Sequence, residues 1–193
     1  GRGEQPYAWM KSWAETETNP AFTWLRANPH RISLSRIGLS FSDGRALDFA
    51  KVADTRQTLD LWSGTLTSRF TYDGQPVAVV TRVHPSLDMV MVEIASPLVA
   101  SQGLGVQVCY PGVNPAINPD PTSFDATGAQ SLEVTAFDTG DVRIRRSLDD
   151  TTYYSGIIAS GKIEQSGADS FSVVASGRDR LTVMVRFDQK TDT

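Results

Sequence analysis

Chemistry in this chain of 193 residues would have to come from two histidines, one cysteine and a scatter of carboxylates, hydroxyls and aromatic rings. His30 and His84 lie far apart, and Cys109 has no second thiol near it. No pairing matches the ligand spacing of a zinc site, so no metal is expected. Each histidine adjoins a proline at a strand end, which suits a hydrogen-bonded structural role. Ser63-Gly64 and Ser155-Gly156 lack the Gly-x-Ser-x-Gly elbow and its strand-to-helix setting. Cys109, beside Tyr110 and Pro111, reads as a small buried hydrophobe. Gly103-Leu104-Gly105 lacks the rest of a phosphate-cradling loop and precedes a strand. No catalytic residue and no cofactor site follow from these motifs.

Two carboxylates flanking a sugar would suffice for glycoside hydrolysis. Asp60, Asp88, Glu93, Asp149 and Asp150 are available, but turn chemistry and solvent-facing strand positions account for them first. The aromatic residues carry more information. Trp62 lies in Leu59-Asp60-Leu61-Trp62-Ser63-Gly64, where its ring suits either a sugar platform or a domain interface. The interface is favoured. Tyr72, Tyr153 and Trp24 are the other candidates for carbohydrate binding or docking.

Composition narrows the function classes. Hydrophobic residues are 40 % and charged residues 21 %, as in an ordinary folded domain. Twenty-two acidic against 18 basic residues give a net charge of −4. A nucleic-acid binder would need a basic stripe, so that partner is not expected. The longest apolar stretches, such as 89–95, are far too short to span a bilayer as a helix, so no membrane partner is expected. The chain opens Gly1-Arg2-Gly3 without a signal pattern, which leaves compartment open, with export to the periplasm or beyond favoured.

Two regions must position these side chains. Residues 1–30 form an aromatic-rich arm, broken by Pro6, Pro20 and Pro29, expected to be extended, with at most a helical turn over 21–27. Residues 31–193 show the period of two that marks half-buried strands. A parity slip near Arg36 predicts a bulge, and one long strand is expected from Gln57 to Tyr72. Asp43-Gly44, Asp73-Gly74 and Thr139-Gly140 mark turns. Pro111 to Gln130, with four prolines, reads as a long surface loop. Roughly ten strands without a convincing helix predict one all-β domain, a two-sheet antiparallel β-sandwich.

Several segments carry a family likeness. Arg56–Gly74, with Leu59-Asp60, Gly64, Leu66 and Arg69-Phe70, resembles a stretch of the N-terminal β-sandwich of glycoside hydrolase family 65 and its six-hairpin relatives. Val80–Ile94 is similar to the next strand pair, leading into a Ser96-Pro97 turn. Asn28–Leu39 and Leu148–Tyr154 also fit. The resemblance implies a galactose mutarotase-like super-sandwich that packs against an (α/α)6 catalytic barrel, absent from this chain, of the same parent protein. The family sandwich begins with strands that are not found before Tyr7, which leaves the completeness of the sheet open. The function so implied is a non-catalytic accessory domain of a carbohydrate-active glycosidase or glycoside phosphorylase. The alternatives are a freestanding carbohydrate-binding module, with an oligosaccharide as partner, and an adhesive sandwich.

Overall fold

A computed structural model describes residues 33–112, 130–148, 151–175 and 177–190, together with 12, 14 and 18–27. Among the described residues twelve strands fall into two antiparallel sheets. The chain enters through α1 (Pro20–Ala27), then β1 (Arg36–Phe41), β2 (Val52–Asp60), β3 (Thr65–Tyr72), β4 (Gln75–Val83) and β5 (Met89–Ala95). After α2 (Pro97–Gln102) come β6 (Leu104–Cys109), β7 (Gln130–Asp138), β8 (Asp141–Leu148) and β9 (Thr151–Ala159). β10 (Lys162–Gly167), β11 (Ser170–Val174) and β12 (Arg180–Asp188) complete it. The small sheet runs β1-β6-β11-β10, and the large one β2-β3-β4-β5-β12-β9-β8-β7.

The all-β sandwich expected from alternation is the fold. Val106 and Val108 of β6, Phe171 and Val173 of β11, and Ile163 of β10 face Val77, Val79, Val92, Ile94, Ile144, Ile157, Val183 and Val185 of the large sheet in one core. Each such side chain contributes about 2 kcal/mol by leaving water. The large sheet has twice the strands of the small one, so its margins overhang. β2 shows the consequence: from Ala53 to Asp60 every residue is exposed.

Local features differ from the sequence reading in four places. The long strand expected from Gln57 to Tyr72 is two strands, β2 and β3, divided by a turn at 61–64. The bulge expected near Arg36 is absent, because β1 begins there and pairs with β6 without a register shift. A shift occurs instead between Ala53 and Arg56. The arm contains a helix, α1, whose first amides at Ala21 and Phe22 donate to the Asn19 side chain. A second helix, α2, carries the chain from the large sheet to the small one. Ser96 caps it, Pro97 takes its first turn, Gly103 ends it in a left-handed conformation, and Leu98 and Val99 are buried. The loop expected over Pro111 to Gln130 lies, apart from its flanks, outside the described residues.

Candidate functional site: the β2–β3 hairpin

The sequence-chosen aromatic residues part company in the fold. Tyr72 is only 3 % exposed: it packs on Phe41 with ring centroids 5.4 Å apart, and its hydroxyl accepts the Asp48 amide at 3.4 Å. Tyr153 is 8 % exposed and donates its hydroxyl to the Leu34 carbonyl at 3.1 Å. Neither ring offers a face to a ligand, which corrects the expectation for both. Alternation puts them on the inner face, and burial claims them there. Trp24, on α1, is exposed. Trp62 is 99 % exposed at the tip of the β2–β3 hairpin.

The tip is built by its own sequence. Asp60 ends β2, and its carboxylate accepts the Trp62 amide at 3.0 Å and the Ser63 hydroxyl at 2.7 Å. The Ser63 hydroxyl bond, then the Trp62 amide, holds that carboxyl below its usual pKa. Gly64 closes the turn at φ +62°, a conformation that strains residues with a Cβ. Leu61 is 85 % exposed beside Trp62, and Leu59 is 56 % exposed on the inner face of the overhang, paired across to Leu66. Thr65 pairs with Arg82, so exposed Val83 stands next to Gly64 at the same end of the sheet. Exposed Leu87 follows in the β4–β5 connection. Large apolar side chains thus gather at one corner, with Trp62 outermost. Such a patch is a candidate interaction surface.

The candidate acids among the described residues do not gather around it. Asp60 is engaged within the turn, Glu93 pairs with Arg82 on the outer face of the large sheet, and Asp149 and Asp150 lie outside the described residues. The Asp88 carbonyl accepts the Phe187 amide. His84 has a structural role: its Nδ1 accepts the Ser86 amide at 3.2 Å and the Leu87 amide at 3.1 Å. Among the described residues no group of three or more His, Cys, Asp or Glu is placed to hold a metal ion. No helix among them is long and apolar enough to cross a membrane.

One polar group that sequence reasoning passed over is buried completely. Arg146 has no exposed surface, although its neighbours Arg143 and Arg145 face solvent. Its guanidinium lies 5.6 Å from the centre of the Tyr110 ring, reaches Asp169 Oδ1 at 3.1 Å and donates to the Pro111 carbonyl. The Tyr110 hydroxyl lies 2.8 Å from Ser155 Oγ, which donates to the Arg186 carbonyl. Parity holds the signal: Val142, Ile144 and Arg146 share one face of β8. This cluster pins Pro111 and the β10–β11 turn to the large sheet. It contains no activated nucleophile.

No protein-family model matches the chain, and no curated protein is significantly similar to it.

Proposed function

We propose that this chain is the non-catalytic β-sandwich of a carbohydrate-active six-hairpin protein, a glycosidase or glycoside phosphorylase, and that it works by docking on an (α/α)6 catalytic domain. The observation that supports this reading is the β2–β3 hairpin, which holds Trp62, Leu61 and Leu59 in water on a rigid turn. A tryptophan buried at the centre of a protein interface is worth about 2 kcal/mol or more. A carbohydrate-binding module is less well supported. Sugar platforms need polar partners around the ring, whereas Trp62 has leucine and valine neighbours and the one adjacent carboxylate is spent on the turn.

The test is catalytic and direct. The purified chain, offered α- and β-linked oligosaccharides with and without phosphate, is expected to give background turnover and no Trp62-dependent glycan binding. Robust turnover abolished by a single Asp or Glu substitution would defeat the proposal. Glycan binding lost in Trp62→Ala would replace it with the binding-module reading.

A further inference from the structure

A second surface lies on the solvent side of the large sheet, away from the core. Most described cations there are matched: Arg82 with Glu93, Arg143 with Asp141, Arg145 with Glu133 and Arg186 with Asp188. Arg56 and Arg69 break the pattern. They are direct cross-strand partners on β2 and β3, and among the described residues no carboxylate pairs with either. Side chains so placed start about 5 Å apart, and like charges in that position repel.

The backbone takes a special step to create this arrangement. Val52 pairs with Tyr72 on the inner face, so uninterrupted alternation would turn Arg56 inward. The register shift between Ala53 and Arg56 inserts an extra residue, with Asp54 in the left-handed region at φ +51°. That bulge re-aims Arg56 to the outer face, opposite Arg69. Two positions on, Thr58 pairs with Thr67 on the same face. The four side chains line a groove of about 430 Å³, combining two guanidinium forks with two hydroxyls.

The groove does not stop there. The register continues from Arg69 through Ala78 and Ala95 to Arg180. The two alanines leave a low floor in a second depression of about 550 Å³, whose lining carries Arg69 and Arg180 together with the carboxylates of Asp54 and Asp179. From Arg56 to Arg180 the row crosses four strand spacings, about 19 Å. Of the described side chains lining the two depressions, the only aromatic ring is Phe70, whose cross-strand partner is the core residue Val77. A nucleobase would find no stacking platform among the described residues of this trough. Guanidinium forks spaced along a flat, hydroxyl-bearing trough suit a short chain carrying both carboxylate or sulfate groups and hydroxyls.

We propose that the trough from the Arg56–Arg69 pair to Arg180 binds an acidic oligosaccharide, its anionic groups held by the arginines and its hydroxyls by Thr58 and Thr67. The site lies on the opposite face of the sheet from the core, on the strands of the β2–β3 hairpin but not at its tip, and it makes no use of the Trp62 side chain, so it is tested separately from the docking role.

The test is a titration of the whole chain with oligogalacturonate, a sulfated oligosaccharide, a neutral oligosaccharide of equal length, and polyglutamate. One acidic saccharide is expected to bind with strong salt dependence, and which one does distinguishes carboxylate from sulfate. The Arg56→Gln/Arg69→Gln pair should weaken that binding at least about tenfold. The charge-matched control Arg143→Gln/Arg145→Gln should leave it within about twofold. The unliganded Arg56→Gln/Arg69→Gln chain should melt at or above the parent temperature, since repulsion has been relieved. Equal loss in both pairs, equal affinity for the neutral sugar or for polyglutamate, or no saccharide binding at all would overturn the proposal.

Discussion

Gly105 sits where the two central strands of the small sheet meet, and replacing it with alanine tests the packing of the whole sandwich. A Cβ built there falls 2.1 Å from the Val173 carbonyl oxygen and 3.3 Å from Val174 Cγ1. Real Cβ atoms essentially never come within 3.0 Å of a neighbour, and a backbone carbonyl in a ladder cannot swing aside. β11 must therefore lift by about 1 Å, taking β10 with it. Four residues of β11 pair with β6, from Ser170 to Val173. They span about 13 Å, and two strands are about 10 Å wide, so the lift opens about 130 Å³ beneath Phe171, Val173 and Ile163. At about 24 cal/mol per Å³ the cost is about 3 kcal/mol. For a domain of this size, that lowers Tm by about 6–12 °C. Gly156 supplies the contrast. It lies in β9 with a negative φ, and a Cβ added there would meet no atom within 4 Å. Gly156→Ala is expected to gain about 0.5 kcal/mol through the unfolded chain. Thermal melts by circular dichroism, with urea midpoints as a second scale, read both. A Gly105→Ala protein melting within about 2 °C of the parent would refute the packing argument.

Burial, opposed by the Ser155 hydrogen bond, pushes the Tyr110 hydroxyl well above its ordinary pKa, and burial raises Tyr153 as well. Both phenols hold their protons more tightly folded than unfolded, so their stabilisation is complete below pH of about 10 and is lost as pH climbs toward the folded values. Melting temperature should be level from neutrality to the unfolded phenol range and then fall, with a shallower alkaline fall in Tyr110→Phe. Arg146→Met, which withdraws the buried guanidinium from Asp169 and Pro111, should cost about 3 kcal/mol, whereas Arg145→Met on the solvent face should cost under about 0.5 kcal/mol. Paired urea titrations measure the difference.

Much of the sandwich could be read from alternation. Val77, Val79, Val90, Val92, Ile94, Val106 and Val108 all lie on the inner faces where a period of two puts them, and Asp73-Gly74 turns β3 into β4. The β2–β3 turn was hidden because Leu61 and Trp62 prolong an apolar pattern through it. What breaks the strand is the Asp60 carboxylate capping two residues ahead, a local bond that periodicity does not register. α2 was hidden by its length, although Ser96, Pro97 and Gly103 spell its cap, first turn and stop. Long-range order was out of reach for a different reason. β12 inserts between β5 and β9, and no local feature of Leu181 to Phe187 says which edges it joins. The same holds for Trp62. Its type suggested an interface, but its exposure depends on how far the large sheet overhangs the small one.

Hydrogen exchange at residues 59–65 bears most directly on the docking claim. In the chain alone, these amides should exchange rapidly, apart from those held by the β2–β3 ladder and by Asp60. In the presence of the (α/α)6 catalytic domain, the account predicts that the tip becomes protected, and that Trp62→Ala removes the protection together with about 2 kcal/mol of binding. A tip that exchanges equally fast with and without that domain would contradict it.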